Sequence, residues 1–249
     1  MKVKLSLVTA IITLCLTSVL AQTGQHGDDA QGPHFEGAET ELIGTNQSFS
    51  ATMEYQIFRQ SGDNVTMSGK FSFDHGKSRL EMNTSEMQGS KILPGAIRQL
   101  KSMGMNRMLS ITRPDLKLAY IIYPDLKTYA VITQHDPFAN ATAGDFKVET
   151  TVLGKETMEG HECVKVNIVA IDKDGNKHEA TGWKATDLKS FPVKIVTNKD
   201  GQSLRMLFKN ISFDKPAASS FELPSGLITK YDDVETMIRT EIIHQRSVK

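Results

Sequence analysis

Cysteine is almost missing from this chain. Of 249 residues only Cys15 and Cys163 carry a thiol. Cys15 falls inside an apolar N-terminal run, so a chain that loses this run has no internal disulfide to form. Missing too is any excess of one charge: basic and acidic side chains both number 29. Losing Lys2 and Lys4 with the N-terminal run leaves a charge of about −2. That balance supplies no field to draw in nucleic acid or an anionic membrane. There is no Ser-His-Asp signature, nucleophile elbow, zinc-ligand spacing, phosphate loop or dinucleotide fingerprint. Past the N-terminal run, no apolar segment is long enough to span a bilayer. A non-catalytic protein without cofactor or metal is the expectation.

What is there begins with Met1-Lys2-Val3-Lys4 and an apolar stretch from Leu5 to Leu20. Val19-Leu20-Ala21 has short residues where a signal peptidase needs them, so residues 1–21 read as an export signal. Export to a periplasm or cell envelope, or secretion, follows from that reading. Residues 22–41 are rich in Gly, Gln, Asp and His and read as a flexible leader. His26 and His34 read as solvated linker residues. Residues 42–249 suit one large β-rich domain.

The domain opens on alternation. Phe49, Ala51, Met53, Tyr55 and Ile57 fall on one face of a strand, with polar residues between them. Ser61-Gly62-Asp63-Asn64 turns the chain. Val65, Met67, Gly69, Phe71 and Phe73 return, and Ser78 to Met82 makes a third strand. Leu93, Ile97, Leu100 and Met103 then recur at helical spacing, which predicts a short amphipathic helix from Pro94 to Met103 stopped by Gly104. It could cover one face of the sheet.

Arg113 to Ile132 is a tandem: RPDLKLAYII, then YPDLKTYAVI. Each unit opens with Pro-Asp-Leu-Lys, which predicts a β-turn, and runs into strand-forming residues. With Arg107 to Thr112 the tandem predicts a three-stranded meander. Leu118, Tyr120 and Ile122 share one face and Ala119 and Ile121 the other, so both faces should be covered. More hairpins follow around Asp172-Lys173-Asp174-Gly175 and Asn198-Lys199-Asp200-Gly201. Asp232 to His244 predicts a terminal helix, capped by Asp232 or Asp233, with Val234, Met237, Ile238 and Ile242 as its apolar stripe. The fold class is mainly β (α+β): one highly curved antiparallel sheet or open half-barrel with few helices.

Several phrases carry a resemblance. They are Gly76 to Met82, the Arg113 to Val131 tandem, Gly154 to Lys165, Trp183 to Val193, and Pro224 with Lys230-Tyr231. Together, over Gly76 to Val234, they are similar to an exported bacterial domain-of-unknown-function family, the one numbered 4412. That family resembles the lipoprotein carriers LolA and LolB and related lipid-binding proteins. The resemblance implies helices across the concave side of the sheet and an acyl-chain cavity between them. It assigns no individual contact.

Nine residues stand as candidates for the lining of such a cavity: Met53, Tyr55, Phe71, Phe73, Leu100, Met103, Tyr120, Ile122 and Trp183. A hydrophobic small molecule or lipid would be the partner. A sixteen-carbon chain offers on the order of 12 kcal/mol gross, much of it offset by ordering and association. A self-filled core in an envelope structural protein is the alternative. Met103, Met105 and Met108, with Met82 and Met87 upstream, raise a Cu(I) reading, against which stands methionine's use as an adaptable apolar filler. His161-Glu162-Cys163 raises a thiol-nucleophile or metal reading, against which stands a turn histidine beside a packed cysteine.

Overall fold

The structure is a computed structural model and describes residues 42–59, 62, 64–89, 94–133, 147–171, 175, 177–199 and 202–247. Residues 1–41, read from the sequence as export signal and leader, the whole of 134–146, Leu93 of the expected helix stripe and parts of the turns at 172–176 and 200–201 lie outside the described residues. In order the strands are β1 (Ser48–Arg59), β2 (Asn64–Asp74), β3 (Lys77–Asn83), β4 (Gln88–Gly89), β5 (Arg107–Arg113), β6 (Leu118–Tyr123), β7 (Thr128–Thr133), β8 (Lys147–Met158), β9 (His161–Ile171), β10 (Lys177–Ala185), β11 (Pro192–Lys199), β12 (Gln202–Ser212) and β13 (Thr229–Tyr231). Helix α1 (Pro94–Ser102) precedes β5, and α2 (Val234–Ser247) follows β13.

All of these strands join one open sheet in the order β13-β7-β6-β5-β3-β2-β1-β12-β11-β10-β9-β8, with β4 beside β2. It is two meanders fused at β1 and β12. Every pairing is antiparallel except the short β13 with β7. Thr133 and Lys147 stand ten strand intervals apart in that order, which laid flat is about 48 Å. The 13 residues between them reach at most roughly 50 Å when fully extended. A flat sheet would leave that stretch almost no slack.

The tandem forms the expected meander, and its turns run on as short 3-10 turns. Pro114–Leu116 and Pro124–Leu126 are single 3-10 turns, each closed by a lysine in the left-handed region, Lys117 at φ 54° and Lys127 at φ 56°. Proline at the first position presets φ and gives up an N–H that has no partner there. The closing lysine then donates its own N–H to the proline carbonyl at 3.0 Å. Beyond these turns the meander is covered on both faces. Ala119 and Ile121 belong to the main core, and Ile122 packs with Leu109 and Ile111 on the other side.

A strap formed by the residues after β12 covers this arm. After β12 the chain crosses the outer face, where Arg79 donates to the Ser220 carbonyl at 3.3 Å and Arg113 to the Phe221 carbonyl at 3.2 Å. Phe221 is buried there, and Leu227 packs on Leu109, Ile111 and Ile122. β13 then caps the β7 edge, and α2 returns over the inner face. Asp233 caps α2, its carboxylate accepting from the Thr236 N–H at 2.7 Å, and Val234, Met237, Ile238 and Ile242 are buried as the stripe requires. The opposite edge has no such cover among the described residues. β8 is exposed along nearly all of its 12 residues, with Val152 and Leu153 out in water. A bulge between Val152 and Gly154 interrupts its pairing, a common way to blunt an open edge.

Asp74, at the end of β2, holds the start of β1. Its carboxylate accepts from Ser48 Oγ at 2.5 Å and faces His75 Nδ1 at 2.8 Å and Lys215 Nζ at 3.7 Å. The Ser48 hydrogen bond, aided by His75 and Lys215, outweighs burial and holds this carboxyl below its ordinary value. A carboxylate favoured in the folded state stabilises it above the unfolded value, and that contribution is lost as pH falls through the folded one. Denaturant midpoints should thus hold near neutral pH and fall below about pH 4. Asp74→Asn should lower the neutral midpoint and flatten this acid limb, and equal slopes in both proteins would remove Asp74 as its source.

Candidate functional site

The inner face of the sheet, beneath α1 and α2, is the candidate site. Cross-strand register arranges its side chains in rows. At the middle of the sheet Phe49 faces Phe73 and Ala51 faces Phe71, and Met53 faces Phe208 across the β1–β12 seam. Phe191 closes the group, its ring 4.7 Å from Phe49 and 5.5 Å from Phe208 in edge-on contacts. Such edge-to-face pairs add to the stabilisation from burial. Phe49, Phe71, Phe191 and Phe208 are at most 1% exposed, so this part of the face is filled by protein.

Methionine dominates toward α1. Nine of the chain's eleven methionines lie in the one main cluster. Met82 and Met108 are direct partners across β3 and β5. Met103 and Met105 reach the cluster from the end of α1, where Gly104 takes φ 72° to turn the chain under. Unbranched thioethers repack at low cost, so this region can change shape where the phenylalanines cannot. Met103, Met105 and Met108 are all buried in it.

Further along β3 and β5 the same face turns to hydroxyls. Ser78 faces Thr112 and Leu80 faces Ser110. These three hydroxyl residues are buried, as is Thr128 on β7. Thr112 Oγ1 and Thr128 Oγ1 have no hydrogen-bond partner. Alternation alone would put Ile111 inward and Ser110 and Thr112 in water; they lie inward because Leu109 and Ile111 pack with Ile122 on the outer face, so the sequence carried no signal for them.

The nine candidate lining residues divide. Met53, Tyr55, Phe71, Phe73, Leu100 and Met103 come together in the main cluster. Tyr120, Ile122 and Trp183 do not join them. Tyr120 and Ile122 lie on the outer face of the meander with Leu109 and Ile111. Trp183 packs outside with Cys163, Ala185 and Val193. Its indole donates to Glu156 at 2.8 Å, and the ammonium groups of Lys165 and Lys194 sit 4.9 and 4.1 Å from its ring centre. Strand parity decides this, since Tyr120 and Ile122 alternate with the inward Ala119 and Ile121.

Leu42 and Ile43 form a helical turn that also enters the main cluster. Leu42 is buried directly over Gly182 of β10, where any Cβ would meet its side chain. Nothing in the sequence periodicity points to this contact.

The His161–Cys163 pair does not assemble a nucleophile. Cys163 is 1% exposed and burial pushes its thiol up, opposite to what thiolate chemistry needs. The His161 ring instead pairs with Asp187 at 2.7 Å. Among the described residues no group of three or more His, Cys, Asp and Glu is placed to hold a metal ion. No helix among them is long and apolar enough to cross a membrane.

No family model matches the chain, and no curated protein matches it. Several solved structures do. A LolA superfamily protein from Nitrosomonas europaea is 8% identical with a TM-score of 0.39, covering 75% of this chain and 98% of its own. The Mycobacterium tuberculosis lipoprotein LppX is 9% identical with a TM-score of 0.42, covering 72% and 92%. A DUF1329 family protein from Desulfovibrio piger is 13% identical with a TM-score of 0.34, covering 76% and 94%. A likeness this distant assigns neither activity nor ligand to this chain. The family numbered 4412 remains a resemblance carried by the quoted phrases.

Gly182→Ala tests the Leu42 notch. The added methyl should cost about 1–3 kcal/mol by overpacking, read from denaturant unfolding. In a Leu42→Ala background the same change should cost almost nothing, because the colliding atoms are gone. An equal cost in both backgrounds would mean Leu42 does not occupy that notch.

Proposed function

We propose that this chain is an exported, non-catalytic binding or carrier protein for a lipid, an acyl chain or another hydrophobic group, working in a periplasm or cell envelope. The observation that carries the reading is the division of the inner face. Phenylalanines fix its middle, with Ser78 facing Phe73, while methionines gather toward α1. A ligand enters by shifting α1 and displacing methionine side chains, exchanging one set of apolar contacts for another. Each buried methylene of the ligand contributes about 0.8 kcal/mol, and no catalytic residue is required. The apolar N-terminal run with its short-residue cleavage site supports export.

The packed phenylalanines favour a second reading, in which the whole inner face is filled by the protein's own side chains and the chain serves as an envelope structural or interaction protein. Organic extraction of the purified protein followed by mass spectrometry separates the two. The carrier reading expects co-purifying lipid and saturable uptake of a fluorescent fatty acid. Protein clean of lipid that takes up none of the probe would leave the self-filled reading standing.

A further inference from the structure

Every buried serine and threonine among the described residues lies on one arm of the sheet: Ser78, Ser110, Thr112 and Thr128. The seam strands β1 and β12 and their neighbours β11 and β10 bury none. Three of the four hydroxyls are contiguous. Thr112 is directly opposite Ser78, and Ser110 is two residues back on the same face. Two further steps along β5 lead to Met108, opposite Met82. The floor thus runs from hydroxyls to thioethers over about 13 Å, four residue steps along a strand.

Thr112 is 2% exposed, and its hydroxyl has no partner. An O–H sealed from water without an acceptor destabilises the fold, and native proteins rarely keep one without a reason. The face it occupies carries the buried Ala119 as its neighbour on β6, a methyl side chain that offers no acceptor. Ester or carboxyl oxygens are acceptors that suit a lone neutral hydroxyl inside an apolar compartment.

We propose that Thr112, flanked by Ser78 and Ser110, is the polar subsite that orients an acyl ligand: Thr112 Oγ1–H donates to the carbonyl oxygen of an acyl ester or fatty acid, and the hydrocarbon tail runs along β5 to Met108 and Met82. This deepens the carrier reading and rests on it. The compartment would hold amphiphiles in one direction and prefer them to plain hydrocarbons of equal length. A site that hydrogen-bonds a ligand oxygen rejects the analogue lacking it far more strongly than an apolar pocket rejects one that is a methylene short.

Thr112→Val removes the hydroxyl and nearly keeps the shape. It should raise the melting temperature of the ligand-free protein, since an orphaned polar group disappears. It should also weaken methyl hexadecanoate roughly tenfold and leave hexadecane unchanged, both read by displacement of a fluorescent fatty acid. Thr128→Val removes the other orphaned hydroxyl, roughly 16 Å away across β6. That variant should be stabilised likewise and keep full affinity for the ester. Equal affinity of wild type and Thr112→Val for the ester, or equal loss in both variants, overturns the subsite and leaves the carrier reading intact. Absence of binding by either probe to wild type overturns the carrier reading itself.

Discussion

The pairing of β1 with β12 is the constraint on which the rest depends. Ser50 to Arg59 lies against Ser212 to Gln202, so two strands about 150 residues apart in sequence form the middle of the sheet. Without that seam there are two separate meanders, each with an apolar face open to water. With it, Phe49, Phe71, Phe73, Phe191 and Phe208 meet in one packed group, and the face under the helices becomes continuous. Register fixes which residues share that face, because a one-residue slip at the seam would turn Phe49, Met53 and Tyr55 outward.

Local strand patterns were legible. The alternation from Phe49 to Phe58, the return from Val65 to Phe73, the tandem meander and the stripe of α2 all stand where their periodicities put them. So does the open curved sheet, because serial hairpins with short connections leave few other arrangements. What periodicity could not provide was which face of one strand continues which face of another. Tyr120, Ile122 and Trp183 are large and apolar like the inner residues, yet the outer face of each arm has its own small core: the strap covers one, and Cys163, Ala185 and Val193 surround Trp183 in the other. A sheet covered on both faces hides its inside from a reading based on hydrophobicity alone. Leu42 was missed for a different reason. Its contact with Gly182 joins residues 140 positions apart, and a glycine in a strand signals close approach without naming the partner.

The inner face joins two kinds of packing. The aromatic half of the inner face is stiff because ring contacts fix relative orientation, and the methionine half is deformable because each thioether has several rotamers of similar energy.

The strap makes the β5–β7 arm depend on residues far along the chain from it. Residues beyond β12 cover the β5–β7 arm on its outer face, at its edge and on its inner face in succession. A chain cut short after Ser212 would bare Leu109, Ile111 and Ile122 on one side and Ala119, Ile121 and Ala130 on the other, at an unpaired β7. Proteases and chaperones recognise such surfaces, so a truncated copy would be removed rather than persist as a partly working one.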